Sequence, residues 1–136
     1  VDVVIQAAAP ADYRAREISG EKLKKKGGEG LALNLVPNRD VAQAIGQNKL
    51  PGQIFVGFAA ETENFIENAR RKLLGKNLDF IVLNNVTQPG AGFNVNTNIA
   101  TIVRPASLSK LPKMAKRELA DRILDEVKNI SAPAEE

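Results

Sequence analysis

Three predominantly apolar runs, whose polar residues are Asp2, Gln6 and Asp79, set the framework of the chain. They cover residues 1–8, 54–60 and 78–83, are rich in β-branched side chains, and are bounded by turn or helix signals. Continuous apolar runs, rather than alternating ones, are typical of strands that are buried on both faces. We therefore predict three buried strands. Shorter apolar runs at residues 31–36 and 99–103 predict two more strands.

Three helices are predicted between and after these strands. Asn38 is a candidate N-cap for a helix over residues 38–47. Thr62 can cap a second helix, which Gly75 would end as the residue after its last turn. The apolar stripe of this second helix consists of Phe65, Ile66, Ala69 and Leu73. A last helix, over residues 112–129, has a core face formed by Leu119, Ala120, Ile123, Leu124, Val127 and Ile130.

The alternation of strands and helices predicts an α/β fold with a mostly parallel sheet and helices on its faces. We expect one domain over residues 1–130 and a disordered tail over residues 131–136. The chain opens inside a strand-like run, so we expect that an N-terminal part of the domain precedes Val1. In such sheets ligands bind outside the carboxyl ends of the strands, and candidate site residues are therefore sought there.

Composition removes several classes of chemistry. The 136 residues contain no His and no Cys, which excludes a Ser-His-Asp or Cys-His nucleophile and any zinc site with such ligands. A net charge of +3 permits an anionic partner. Aromatic residues are only 4%, fewer than a protein that stacks single-stranded bases usually carries. Without a membrane-length apolar run or a signal peptide, we expect a cytoplasmic protein that binds neither membrane nor nucleic acid.

A basic segment follows the first strand and ends in glycines. Its lysines are Lys22, Lys24, Lys25 and Lys26, and glycines follow at positions 27, 28 and 30. Such a run is most often solvated charge on a surface loop. Its position between a strand end and flexible glycines also suits a hinged lid over residues 14–30 that closes on an anionic ligand. The residues alone leave both interpretations open.

Other candidate residues follow or flank the strand ends. Asp12, just past the first strand, suits a contact to a base, a sugar or Mg²⁺, but also an ordinary turn. Phe58 suits a planar ligand or the core. Residues 38–42 suit an anion at a helix N-terminus or a plain cap. Lys72 and Lys76 suit cations that point into a ligand-binding cleft, but also cations that balance the negative end of a helix dipole.

Five segments together resemble a known family. They are AAAPADYR, EKLKKK, VPNRDV, VGFAAETENFIENARRKLLGKNLDFIVLNNV and KRELADRIL, and they occur in the family's order over nearly the whole chain. The chain resembles the phosphopantothenoylcysteine synthetases, also called phosphopantothenate–cysteine ligases, of the bacterial CTP-dependent type. It would correspond to the C-terminal part of their domain, which has a Rossmann-like three-layer sandwich fold.

The resemblance implies a role in coenzyme A biosynthesis. Members of the family use CTP to convert the carboxylate of 4′-phosphopantothenate into an acyl-cytidylate, with release of pyrophosphate. The amine of cysteine then displaces CMP and gives phosphopantothenoylcysteine, and Mg²⁺ assists. The resemblance also implies a homodimer and, in fused forms, a flavin-dependent decarboxylase domain that holds FMN outside this chain.

The same resemblance assigns CTP contacts along the chain but no metal ligands. Lys22 would be catalytic, because its ammonium would stabilise negative charge on the reacting nucleotide. Lys24 and Lys25 would be helpers within the lid. The full set of implied CTP-binding residues is Gln6, Ala7, Ala8, Asp12, Lys22, Arg39, Asp40, Val41, Ala42, Phe58, Lys72 and Lys76.

One part of the family pattern has no counterpart in this chain. The family's N-terminal half carries a Gly-rich loop and an Asn-containing segment that bind phosphopantothenate, and nothing here corresponds to them. Two alternatives to a ligase therefore stay open. One is a nucleotide-binding fragment that is inactive alone, and the other is a basic RNA-binding module. The low aromatic content and the confinement of the lysine run to one loop argue against the RNA-binding module.

Overall fold

A computed structural model of the chain describes residues 1–24, 27–28, 30–61, 63–85 and 95–132. It contains two compact units. Residues 1–7 and 42–136 form the first, which we call the sheet unit, and residues 8–41 form the second, which we call the hairpin unit. All buried apolar side chains of the described residues lie in the sheet unit.

The predicted strands and helices all occur, with shifted ends. No apolar run predicts the short strands β2, β6, β8 and β9. Within the described residues the elements in chain order are β1 (Val3–Gln6), β2 (Tyr13–Ala15), β3 (Leu35–Pro37), α1 (Val41–Gln47), β4 (Ile54–Glu61), α2 (Phe65–Gly75), β5 (Phe80–Asn85), β6 (Thr97–Asn98), β7 (Ala100–Val103), β8 (Leu108–Lys110), β9 (Met114–Ala115) and α3 (Lys116–Ser131).

The sheet unit is built on a five-stranded sheet in the order β1-β4-β5-β7-β8. β1, β4 and β5 are parallel, whereas β7 and β8 join antiparallel. Parallel pairing requires long crossover connections, and α1 before β4 and α2 before β5 lie in them. The predicted α/β fold is confirmed, and the three long apolar runs of the sequence are the three parallel strands.

Helices cover both faces of this sheet. α2 packs on one face through Ala69 and Leu73, and α1 packs beside it. α3 packs on the other face through Leu119, Ile123 and Val127. The strands β4 and β5 are therefore buried on both sides, which explains why they occur in the sequence as continuous apolar runs. The result is a three-layer sandwich, as the sequence predicts.

The first strand is less buried than predicted. Val3 and Ile5 are 36% and 38% exposed, and only Val4 and Gln6 are half-buried. Within the described residues β1 pairs on one side only, with β4. Val4 joins the apolar cluster under α1 and α2, but Val3 and Ile5 face the other way and belong to neither cluster. The prediction of a strand buried on both faces is therefore wrong for β1.

The turn that connects α2 to β5 packs its backbone tightly against the end of α1. Gly75 is the last residue of α2 rather than the residue after it, and Asn77 takes the left-handed conformation instead, with φ 52°. The Asn77 side chain donates to the carbonyl oxygen of Gly46 at 3.0 Å. A Cβ atom on Gly46 would lie 1.9 Å from the carbonyl oxygen of Lys76. Only glycine at position 46 lets α1 end against this turn.

The hairpin unit is a two-stranded antiparallel ribbon in which Tyr13 pairs with Pro37 and Ala15 pairs with Leu35. None of its described side chains is buried. Gly27 and Gly28 have φ values of 47° and 85°, a left-handed conformation that glycine adopts without strain. The lid over residues 14–30 stays a prediction, although its first residues belong to β2 rather than to a loop.

The expected N-cap role of Asn38 is wrong. α1 begins at Val41, and the Asn38 side chain is used elsewhere in the hairpin unit. Its amide donates to the carbonyl oxygen of Ala11 at 2.7 Å, and its oxygen accepts from Arg14 at 3.0 Å. The oxygen that would cap a helix is occupied by the Arg14 guanidinium, and the amide N–H links the two strands at the open end of the ribbon.

Some expectations fall outside the described residues. These are Thr62 as a helix cap, Lys25 as a lid helper and the tail at residues 133–136. Ser131, expected in the tail, is the last residue of α3. In the described part of the chain, no helix is both long and apolar enough to cross a bilayer.

Candidate functional site

The ends of β1, β4 and β5 form one edge of the sheet, which we call the carboxyl edge. Gln6 ends β1, Glu61 ends β4 and Asn85 ends β5. Glu61 and Asn85 are register partners, while Gln6 lies beside Gly57, earlier in β4. Because side chains alternate along a strand, the three polar side chains share the face that α1 and α2 cover. This edge is where an open α/β sheet binds ligands.

Gln6 carries an unsatisfied acceptor at this edge. Its side-chain oxygen Oε1 is buried and has no hydrogen-bond partner among the described residues. Buried polar atoms in native proteins are nearly always hydrogen-bonded, to protein, to water or to a ligand. This oxygen therefore suits a donor that the described residues do not supply, such as an amine or a hydroxyl group of a ligand.

An ion pair connects α2 to β4 on the same face. Lys72 donates from Nζ to Oε1 of Glu61 at 2.5 Å. The side chain of Lys72 is 43% exposed and that of Glu61 is 15% exposed. Side chains on a helix lean toward its N-terminus, so Lys72 reaches back from the last turn of α2 toward the carboxyl edge. Glu61 is absent from the sequence-based candidates, although a carboxylate that ends a parallel strand is a usable signal.

A pair of amides also lies at this edge, on the opposite face of the sheet. Asn98 is buried and donates to the side-chain oxygen of Asn84 at 2.9 Å, and its own oxygen accepts the backbone N–H of Ile99 at 2.9 Å. The hydrogen bond between the two amides fastens β6, just before β7, to the end of β5. Sequence reasoning missed them, because an Asn in a loop-rich segment gives no signal of a buried partner.

Phe58 lies on the same face as these amides. It is half-buried and packs against the apolar cluster under α3. Lys72 and Gln6 lie across the sheet from it, so a ligand that contacted all three would have to pass over the carboxyl edge. This placement is that of a core phenylalanine, and a CTP contact by Phe58 stays a prediction.

The sheet unit contains three further candidates, which are Lys76, Ala42 and Ala7. Lys76 follows α2, and its backbone N–H donates to the carbonyl oxygen of Lys72 at 3.0 Å. It therefore stands near the start of β5, at the opposite edge of the sheet. Ala42, in the first turn of α1, packs against the apolar cluster on that face. Ala7 directly follows β1 and is exposed.

The remaining candidates belong to the hairpin unit and are all exposed. Asp12 has a fixed backbone, because its carbonyl oxygen accepts the N–H of Asn38 at 2.7 Å. Lys22 follows a turn in which Ser19 Oγ donates to the carbonyl oxygen of Glu21 at 2.7 Å. This exposed group comprises Ala8, Asp12, Lys22, Lys24, Arg39, Asp40 and Val41.

A concavity lies at the amino edge of the sheet, where the parallel strands begin. It measures about 770 Å³ and is lined by residues that include Lys49, Gly52 and Asp79. Lys49 donates to Asp79 at 2.7 Å, and the same carboxylate oxygen accepts the backbone N–H of Phe55 at 2.6 Å. The charges of this hollow are therefore used to hold the backbone, and the carboxyl edge is the better candidate site.

The described residues include no group of three or more His, Cys, Asp or Glu side chains that could coordinate a metal ion. Mg²⁺ in nucleotide-dependent enzymes is commonly bound through one or two carboxylates together with the phosphates of the substrate. The described residues are compatible with a magnesium ion that arrives bound to the phosphates of a nucleotide.

Curated relatives match nearly the whole chain. The chain is 42% identical over 131 residues to the coenzyme A biosynthesis bifunctional protein CoaBC of Bacillus subtilis. This match covers 96% of the present chain and 32% of the relative. It is also 42% identical over 127 residues to a cysteine/cysteine sulfinic acid decarboxylase from an unknown prokaryotic organism, covering 93% of the chain and 35% of the relative. The chain thus spans about a third of the length of these relatives.

A solved structure agrees with these matches. The C-terminal domain of a coenzyme A biosynthesis bifunctional protein CoaBC superposes with a TM-score of 0.73 at 33% identity, over 96% of this chain and 55% of that one. Residues 1–130 match the model of one protein family. The chain, with its three-layer sheet unit, belongs to the family of the DNA/pantothenate metabolism flavoprotein C-terminal domain.

Proposed function

We propose that this chain is the CTP-binding part of a phosphopantothenate–cysteine ligase that acts in coenzyme A biosynthesis. Two lines of support are independent of the site. The sequence resembles that ligase family over nearly its whole length, and relatives that match over 96% of the chain are named as coenzyme A biosynthesis proteins. The absence of His and Cys is compatible with this chemistry, which uses electrostatic stabilisation rather than a protein nucleophile.

The proposed reaction has two steps. A carboxylate oxygen of 4′-phosphopantothenate attacks the α-phosphorus of CTP, and the bond to the leaving pyrophosphate breaks. The amine of cysteine then attacks the acyl carbon of the acyl-cytidylate, forms the amide and expels CMP, and the amine loses a proton. Negative charge builds up on phosphate oxygens in the first step, which is where fixed cations lower the barrier.

One observation in the structure carries the nucleotide assignment. The Lys72 ammonium and the unsatisfied Gln6 oxygen lie on one face of the carboxyl edge. A nucleotide offers a partner for each, because its phosphates accept from an ammonium and its amine and hydroxyl groups donate to an amide oxygen. An apolar ligand would satisfy neither.

The roles of individual residues follow the resemblance and are part of the proposal. Lys22 is proposed as the catalytic cation, assisted by Lys24 and Lys25. The side chain of Lys22 is exposed, as the proposed lid requires. CTP contacts are proposed for Gln6, Ala7, Ala8, Asp12, Arg39, Asp40, Val41, Ala42, Phe58, Lys72 and Lys76.

Further properties are proposed on the same grounds. Mg²⁺ would bind with the nucleotide, where it would neutralise phosphate charge. A homodimer in the cytoplasm is proposed from the resemblance. A decarboxylase domain with FMN is proposed for longer forms, because the matching relatives are named as bifunctional proteins or decarboxylases.

Calorimetric titration with nucleotides tests the proposal. In the presence of Mg²⁺ we expect saturable one-site binding of CTP, and at least about tenfold weaker binding of ATP. A tenfold difference corresponds to about 1.4 kcal/mol, a size that a few polar contacts to the base provide. Equal heats for CTP, ATP and random RNA would instead favour a non-specific anion-binding module.

A further inference from the structure

We propose that Glu61 is a positioning residue that holds the Lys72 ammonium ready for the nucleotide phosphates. The inference rests on the proposed function, and it concerns a residue that the family resemblance leaves unassigned. Its basis is the geometry of the ion pair between the end of β4 and the last turn of α2.

The two partners differ in how firmly they are held. Glu61 is the last residue of β4, is only 15% exposed, and belongs to a strand with parallel neighbours on both sides. Lys72 is 43% exposed on the surface of α2. The less exposed carboxylate is therefore the fixed partner, and the long lysine side chain is the one that is held. Without Glu61, Lys72 would sample many rotamers in solvent.

The pair leaves the ammonium usable. An ammonium has three N–H donors, and Glu61 accepts one of them at 2.5 Å. The exposure of Lys72 lets a phosphate oxygen approach the others. A preplaced cation loses little side-chain freedom on binding, so the phosphate contact is stronger than with a freely moving lysine.

Two alternatives to a positioning role are an ion pair that only stabilises the fold and a carboxylate that only repels phosphate. Each predicts a different effect of removing Glu61 on nucleotide binding. A partly exposed pair adds at most about 1 kcal/mol to folding stability and has no reason to affect ligand binding. A carboxylate that merely repelled phosphate would weaken binding, so removing it would tighten the complex. If Glu61 positions Lys72, removing the carboxylate weakens nucleotide binding. This weakening occurs only while Lys72 is present.

A double-mutant cycle on CTP affinity tests this reading. The variants are Glu61→Gln, Lys72→Gln and the combination, measured by calorimetry in the naturally occurring polypeptide. We expect Glu61→Gln to weaken CTP binding about fivefold and Lys72→Gln about tenfold, within the usual range for one charged contact. We expect the double variant to match Lys72→Gln alone, because Glu61 acts through Lys72.

Glu126→Gln is the matched control. Glu126 forms an ion pair with Arg104 at the amino edge of the sheet, and its side chain is 21% exposed, close to the 15% of Glu61. We expect its loss to leave CTP affinity unchanged. Thermal unfolding of each variant checks the fold, and Glu61→Asp, which is one methylene too short, should behave like Glu61→Gln.

The outcomes separate the inference from the proposed function. If the unsubstituted protein does not bind CTP, the proposed function is wrong and the inference falls with it. If it binds CTP and Glu61→Gln binds equally or more tightly, the positioning role alone is wrong. Additive losses in the double variant would also overturn it, since Glu61 would then act independently of Lys72.

Discussion

Two lysine–carboxylate pairs stand at opposite edges of the same sheet, and they are used differently. At the amino edge, Lys49 meets Asp79 at 2.7 Å, and that carboxylate also accepts the backbone N–H of Phe55. At the carboxyl edge, Lys72 Nζ lies 2.5 Å from Glu61 Oε1, and the side chain of Lys72 is more exposed than that of Lys49. The first pair is tied into the backbone of β4, whereas the second presents an ammonium to solvent. The chemical pair is the same, so its surroundings decide whether it stabilises the fold or serves a ligand.

The amino-edge pair should dominate stability. Asp79→Ala removes the acceptor of the Phe55 N–H and leaves the Lys49 ammonium, whose side chain is 13% exposed, without its carboxylate. We expect the free energy of unfolding in urea to fall by about 2 kcal/mol, the usual cost of an unsatisfied buried donor together with a broken half-buried pair.

Asp121→Ala is the control for that loss. Its pair with Arg117 is 3.9 Å long and its side chain is 64% exposed, so we expect a change within about 0.5 kcal/mol. CTP affinity of the folded Asp79→Ala protein should be unchanged. Equal stability of the two variants, or weaker CTP binding by Asp79→Ala, would contradict the division between the edges.

The carboxyl-edge pair should dominate binding. Lys72→Gln removes the cation that the proposal assigns to the phosphates, and we expect the Kd for CTP to rise about tenfold, or about 1.4 kcal/mol. The free energy of unfolding should change by less than about 0.5 kcal/mol, because Lys72 is 43% exposed. Calorimetry and urea unfolding measure the two quantities.

Lys49→Gln provides the converse experiment. It should lower stability and leave the Kd for CTP unchanged, because its ammonium is used by Asp79 and by the carbonyl oxygen of Asn77. If Lys49→Gln weakened CTP binding as much as Lys72→Gln, the two edges would not have separate roles.

The sheet was readable from the sequence because burial on both faces imposes a strong pattern. The apolar runs containing Val56 and Val82 became adjacent parallel strands, and the stripe of Ala69 and Leu73 became the buried face of α2. The exposure of Val3 and Ile5 was not predictable, because an apolar run gives no information on how many neighbours its strand has. The antiparallel direction of β7 was equally unavailable, since direction depends on the path of the connection.

The site was only partly predictable, for a related reason. A residue that follows or flanks the end of a parallel strand is a sound candidate from position alone, which is how Lys72 was selected, whereas Gln6 was assigned only by the family resemblance. Partners are set by tertiary contacts, so the pairing of Lys72 with Glu61 and of Asn98 with Asn84 had no signature in the sequence. Asn38 shows the same limit, because the oxygen that would cap a helix accepts from the Arg14 guanidinium instead.

A ligation assay tests the central claim most directly. The naturally occurring polypeptide is supplied with CTP, Mg²⁺, 4′-phosphopantothenate and cysteine, and CMP, pyrophosphate and phosphopantothenoylcysteine are quantified. We predict equal amounts of the three products, loss of at least about 100-fold in turnover for Lys22→Gln, as for other removed charge-stabilising groups, and little change for the exposed control Lys128→Gln. Product formation without CTP consumption, or turnover of Lys22→Gln equal to that of the unsubstituted protein, would contradict the account.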